Sequence, residues 1–179
     1  MLIGLVGKKT CGKDTFANFL VKDYFFHKYA FANPLKDVCK SLFLLSDDQM
    51  SNQDEKEKQD TRWKLSPRQM FQLIGTDIVR NQIDQEFWIK HFKLWYESNS
   101  KSYEHIIVTD CRFQNEIDAV KEFGGIIIKI VRDDTFVDSH ISEAGIDNLT
   151  NIDKVIFNNN TKQDFYQRIC EYLYETKLI

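Results

Sequence analysis

Short apolar runs alternate with helix-periodic stretches along the chain. Leu2 to Val6 is a continuous apolar run closed by Gly7, and from Gly12 onward Phe16, Phe19 and Leu20 recur at helical spacing. Lys28 to Phe31 predicts a second short strand, closed by Ala32-Asn33-Pro34. Pro34 then predicts the opening of a helix through Leu44, because proline suits a first helical turn. From about Ser46 to Lys64 the chain is rich in Asp, Gln, Lys, Asn and Glu with almost no apolar periodicity. That stretch predicts a mobile or loosely packed insertion and no second domain. Order resumes at Ser66-Pro67, an N-cap followed by a proline at the first helical position. Met70, Phe71 and Ile74 lead to Gly75, and a further helix carries Phe87, Trp88, His91, Phe92 and Trp95.

Two stronger strand signals follow. His105 to Thr109 ends at Asp110, and Ile126 to Val131 ends at Arg132. Between them Gln114 to Phe123 reads as a helix stopped by Gly124-Gly125. Lys154 to Phe157 is another strand, and Lys162 to Lys177 a final amphipathic helix. Apolar strands alternating with helices predict an α/β fold: three α/β/α layers around a mostly parallel sheet of about five strands.

Composition narrows the possibilities. The chain has 179 residues, enough for a single domain with one core. Its net charge of −3 argues against a nucleic-acid polymer as partner, though not against a local basic pocket for one nucleotide. Cys11, Cys39, Cys111 and Cys170 are dispersed without CxxC spacing, as expected of reduced thiols in the cytoplasm. No charged and apolar leader precedes the first strand, and no apolar stretch is long enough to span a bilayer. The expectation is a soluble intracellular protein with no membrane partner.

The glycines carry the chemistry. Gly7-Lys8-Lys9-Thr10-Cys11-Gly12-Lys13 fits the first seven positions of the phosphate-loop pattern GxxxxGK[ST], between a strand and a helix as that motif demands. Gly7 and Gly12 let backbone N–H groups of the loop, Thr10 included, turn inward around the phosphates of ATP, the helix adds its positive end, and Lys13 reaches the β- and γ-phosphates. The eighth position is Asp14, with the hydroxyl displaced to Thr15. A carboxylate at contact range of a phosphate charge is repelled by about 4 kcal/mol at an intermediate dielectric. Asp14 therefore either faces away as a first-turn helix acid or acts with Thr15 through Mg²⁺ and its waters.

The loop form GKDT with Phe31-Ala32-Asn33-Pro34-Leu35-Lys36 resembles the phage and viral deoxynucleoside monophosphate kinase family. So do the block Ser66 to Asp77, Phe87-Trp88, the block Val108 to Glu116 and the block His140 to Gly145, in that order. The resemblance implies a core of about 1–45 and 103–179, a helical acceptor-binding insertion at about 46–102, and a short lid at about 133–150. It implies ATP-dependent phosphorylation of a deoxynucleoside monophosphate, with ATP and Mg²⁺ as cofactors, nucleotides as partners and a homodimer left open. A viral protein would work in the host cytoplasm.

Residue roles follow from the matching blocks. Lys36 and Leu35 sit where the family holds its acceptor phosphate, and Lys9 is placed to bridge donor and acceptor. Arg68 and Gln72, one helical turn apart, suit a phosphate and a base edge, and Thr76 beside Gly75 allows close approach by a nucleotide. Trp63 and Trp88 are candidates to enclose the base, or plain core. Asp110 emerges at the carboxyl end of a strand, where it can hold Mg²⁺ through water or meet the acceptor, with Arg112 and Gln114 beside it. An Asp110–Arg112 ion pair is the structural alternative. Arg132 is placed to stabilise the transferring phosphoryl with Lys13, and Asn158 matches the family's adenine-side loop or is a simple turn residue. His140 and Glu143 fall in the lid without assigned chemistry. Phosphomevalonate kinases, dephospho-CoA kinases and a nucleotide-binding regulator without turnover remain as rivals.

Overall fold

The apolar run Leu2–Val6 becomes β1, and it is buried along its whole length. In the computed structural model, which describes residues 1–133 and 145–177, β1 pairs in parallel with β3 (Ile106–Cys111) on one side and β4 (Ile126–Val131) on the other. β2 (His27–Tyr29) and β5 (Lys154–Phe157) add parallel edges, giving the order β2-β3-β1-β4-β5. A sheet of this kind must be covered on both faces, and it is. Ile3 and Leu5 pack with Phe16, Ala17 and Leu20 of α1 (Lys13–Tyr24) and with Phe165 and Ile169 of α8 (Lys162–Glu175). Gly4, between them, lies instead against Ile127 and against Val120 of α7 (Gln114–Glu122). α1 and α8 are themselves tied by a Phe16–Phe165 edge contact at 6.2 Å and a Phe19–Tyr166 stack at 4.5 Å. The three-layer α/β/α expectation therefore holds.

The chain forms two compact units: Met1–Ala30 with Lys93–Ile179, which contains the sheet, and Phe31–Phe92. The second unit opens with α2 (Ala32–Phe43). Pro34 lies inside its first turn and does not begin it; those N–H groups have no intrahelical acceptor, so the missing donor costs nothing there. β2 is correspondingly shorter than expected. It stops at Tyr29, because Phe31 already has helical backbone angles and packs its ring on Phe92 at 5.2 Å.

The polar stretch after α2 is more regular than its composition predicts. It carries two short helices, α3 (Asp47–Ser51) and α4 (Gln53–Glu57). Ser46 and Gln49 cap each other's backbone, and Asn52 Oδ1 accepts from Asp54 and Glu55. The buried Asp60 carboxylate accepts from Arg62 at 2.6 Å and Gln49 at 3.0 Å, and the Arg62 bonds hold its carboxyl well below the usual range. Caps and ion pairs thus do locally what apolar periodicity does elsewhere.

Ser66 caps α5 (Pro67–Gln72) as expected, and Gln69 bonds back to it to complete a capping box; the helix continues into a π-helix over Leu73–Ile83. Gly75 sits where α2 approaches: a β-carbon there would lie 2.4 Å from Leu35 Cδ2. The indole N–H of Trp88, at the start of α6 (Phe87–Asn99), donates to the Gly75 carbonyl at 2.9 Å. In the first unit α8 ends at Glu175, just before Lys177 turns left-handed at φ 52°. Gly75→Val should cost about 1–3 kcal/mol by overpacking. Urea unfolding of Gly75→Val, Leu35→Ala and the double variant checks this, with Leu35→Ala expected to restore most of the loss.

Candidate active site

The loop between β1 and α1 is built by two glycines and a lysine. Gly7 and Gly12 have positive φ, and a β-carbon on Gly12 (φ 113°) would lie 2.4 Å from Asn158 Nδ2, so no other residue fits there. Thr10 also has φ 66°, a strained angle for a β-branched residue of the kind found where a loop is shaped for a ligand. The Lys13 ammonium folds back over the loop and donates to the carbonyls of Gly7 at 2.5 Å and Lys8 at 2.8 Å. It lies 3.8 Å from Cys11 Sγ. No side chain caps the N-terminus of α1, so its first-turn N–H groups and its dipole face the loop. Asn158, directly after β5, donates to the Cys11 carbonyl at 2.9 Å and braces the loop's far side. Strand, glycine turn, lysine and open helix end together have the form of a phosphate-binding loop.

Asp14 is 82% exposed and accepts from Lys28 of β2 at 3.1 Å, a pair too exposed to add much stability. Thr15 and Lys9 are half-buried at the loop. Asp110 is half-buried within β3, which runs past Thr109 to Cys111. Burial first, then the charges of Asp110 and Glu116, push the Tyr29 phenol far up. Glu116, which sequence reasoning left without a role, is buried and accepts the backbone N–H of Arg112 at 2.7 Å and of Phe113 at 3.2 Å. It shapes the turn that carries Arg112. The Gln114 amide oxygen accepts from the backbone and hydroxyl of Thr150, at 2.9 and 3.1 Å, so in this structure it holds a loop. Arg132 is exposed at the end of β4. His140 and Glu143 lie outside the described residues.

In the second unit, Lys36 of α2 is half-buried and makes no hydrogen bond or ion pair among the described residues. Leu35 packs against Gly75. Arg68 donates to Glu57 at 2.6 Å and Gln53 at 3.2 Å. Arg68, Gln72, Thr76 and Arg80 are spaced by four residues along α5 and the π-helix. The wider π turn offsets the drift that an α-helix gives this spacing, so the four keep close to one stripe. Arg80, buried like Thr76, was missed from the sequence, and its spacing from Thr76 was the available signal. Trp63 donates to the Phe43 carbonyl at 2.9 Å and sets its ring edge-on to Phe43. Trp88 is buried with its N–H used on Gly75. Both indoles thus brace helices.

A glycine cradle at the carboxyl end of the central strand of a parallel α/β/α sheet defines the P-loop class of nucleotide-binding proteins. Solved P-loop kinases share the fold. A dephospho-CoA kinase from Campylobacter jejuni superimposes with TM-score 0.54 at 15% identity, covering 98% of this chain and 96% of its own. A shikimate kinase from Aquifex aeolicus does so with TM-score 0.54 at 15% identity, covering 99% of each chain.

Sequence narrows the class. The deoxynucleotide monophosphate kinase family model matches residues 1–64 and 47–169. A provisionally named deoxynucleotide monophosphate kinase of Acanthamoeba polyphaga mimivirus is 41% identical over 94% of both chains. The deoxynucleotide monophosphate kinase of Enterobacteria phage T4 is 25% identical over 94% of this chain and 96% of its own. The chain belongs to the deoxynucleotide monophosphate kinase family.

The cradle makes a direct prediction. Gly12→Ala combines left-handed strain with a clash on Asn158, and should abolish detectable binding of MgADP in calorimetry while circular dichroism stays native. Unchanged affinity would show that the loop does not hold the phosphates.

Proposed function

We propose that this protein transfers the γ-phosphoryl of ATP to the phosphate of a deoxynucleoside monophosphate, giving the diphosphate and ADP. The phosphate loop with Lys13 seated on its carbonyls carries the reading, and the family membership supports it. An oxygen of the acceptor phosphate bonds to the γ-phosphorus as the bond to the β,γ-bridging oxygen breaks. The acceptor is already ionised, so no strong general base is needed; positioning and charge neutralisation supply the catalysis. Loop N–H groups and Lys13 hold the β- and γ-phosphates, and Arg132 with Lys9 meets charge on the group in transfer. Lys36, Arg68 and Gln72 hold the acceptor nucleotide.

The described residues contain no cluster of three or more His, Cys, Asp or Glu that could hold a metal by themselves. Mg²⁺ binds substrate phosphates and keeps much of its water, so it needs few protein ligands. Thr15, with Asp14 and Asp110 through water, are the residues to hold it; when bound it neutralises charge on the phosphate oxygens. Free nucleotides, and not nucleic-acid polymer, are the partners this reading requires, with the cytoplasm as the place of action. No helix among the described residues is long and apolar enough to cross a membrane.

A coupled ADP-release assay with dGMP, dTMP, dCMP, dAMP, the ribonucleotides and phosphomevalonate tests the proposal. Turnover with at least one deoxynucleotide is expected; turnover with phosphomevalonate alone, or with nothing, contradicts it. Lys13→Ala should lower kcat by roughly 10²–10³-fold, the size of one lost transition-state donor. Lys36→Ala should raise the acceptor KM about tenfold or more, as for a lost charged hydrogen bond, with little change in the KM for ATP.

A further inference from the structure

Among the described residues between β4 and β5 lies a 3₁₀ turn, Ile146–Asn148, anchored by the fully buried Ile146. Asp147 and Asn148 of the turn are exposed, and Asp147 carries the charge. That carboxylate receives Lys8 Nζ at 2.6 Å and Lys129 Nζ at 3.7 Å. Lys8 is the first residue after Gly7 in the phosphate loop. Lys129 lies on β4 directly across from Val6, the last residue of β1 before the loop. Lys129 also donates to the Ile146 carbonyl at 3.3 Å, so one ammonium fastens the turn to the strand beside the loop.

What Lys8 does with its backbone makes this contact consequential. The Lys8 carbonyl is the 2.8 Å acceptor of the Lys13 ammonium, and it also accepts the Cys11 N–H at 3.3 Å. The side chain that Asp147 grips therefore belongs to the residue that seats Lys13. At the loop's other end Asn158 holds Cys11, so the two flanks of β5 grip the two ends of one loop.

As a contribution to stability the pair is minor. Its side chains are 34% and 60% exposed, and such pairs contribute about 0–1 kcal/mol. The hydrogen bond from Lys8 nevertheless holds the Asp147 carboxyl below its ordinary range, against the cost of partial burial, so it is ionised at neutral pH.

We propose that Asp147 is a positioning residue of the phosphate loop: by gripping Lys8 it fixes the backbone that seats Lys13, and so tunes affinity for the donor nucleotide. This rests on the reading that the loop binds ATP. Simple electrostatics predicts the opposite sign, because removing a negative charge near a polyphosphate should tighten binding.

The test is calorimetric binding of MgADP to the wild type, Asp147→Asn, Lys8→Met and the double variant, with steady-state kinetics alongside. Asp147→Asn should weaken MgADP and raise the KM for ATP by about three- to tenfold, leave the acceptor KM unchanged, and have no further effect in the Lys8→Met background. Melting temperatures should stay within about 2 °C of the wild type, as for an exposed pair. Unchanged or tighter MgADP binding by Asp147→Asn, or independent effects of the two substitutions, would overturn the proposal and leave the donor-site reading intact. Failure of the wild type to bind MgADP would instead remove that reading itself.

Discussion

The pairing of β1 with a parallel neighbour on each side is the constraint from which the rest follows. A central strand has no free edge and no solvent face, so Leu2–Val6 must be apolar throughout and its direction is fixed by β3 and β4. All five carboxyl ends then emerge together. Gly7 leaves β1 beside Ile130 of β4, Asp110 rides at the end of β3, Arg132 follows β4 and Asn158 follows β5. The parallel order puts these groups at one edge of the sheet, and Asn158 bonds the phosphate loop itself. The chemistry of the site is a consequence of the sheet, in the manner expected of open α/β folds.

Local sequence made the sheet and the loop readable. A strand, GxxxxGK and an amphipathic helix are adjacent in the chain and each carries its own signal, so β1, the loop and α1 were legible together. The N-cap at Ser66 and the glycine stop at Gly124 were legible for the same reason. The segment after α2 was not, because its order comes from side-chain caps such as Ser46 and Asn52 and from the Asp60–Arg62 pair, which leave no periodic trace. β2 was misplaced by two residues at its end because Phe31 is apolar enough for a strand but serves the second unit.

Among the candidate site residues, those defined by backbone geometry could be found from sequence, and those defined by a distant partner could not. Gly12 is required by its φ and by Asn158, and the motif names it. The bracing of Cys11 by Asn158, of Thr150 by Gln114 and of Lys8 by Asp147 links residues remote in the chain, and only the fold shows them. The two tryptophans make the same point. An aromatic residue near a predicted ligand reads equally as base platform or as packing, and the hydrogen bonds of Trp63 to Phe43 and Trp88 to Gly75 decide how each indole N–H is used. In the second unit, the π-helical turn that keeps Arg68, Gln72, Thr76 and Arg80 in register has no sequence signature at all.

In the proposed mechanism the backbone N–H groups between Gly7 and Thr15 hold the polyphosphate. Hydrogen–deuterium exchange of the whole protein with and without saturating MgADP tests it directly. The loop amides and the first turn of α1 should slow in exchange when MgADP is present, with β1 already protected in both states. Unchanged exchange across residues 7–15 at saturating MgADP would show that the polyphosphate is held elsewhere.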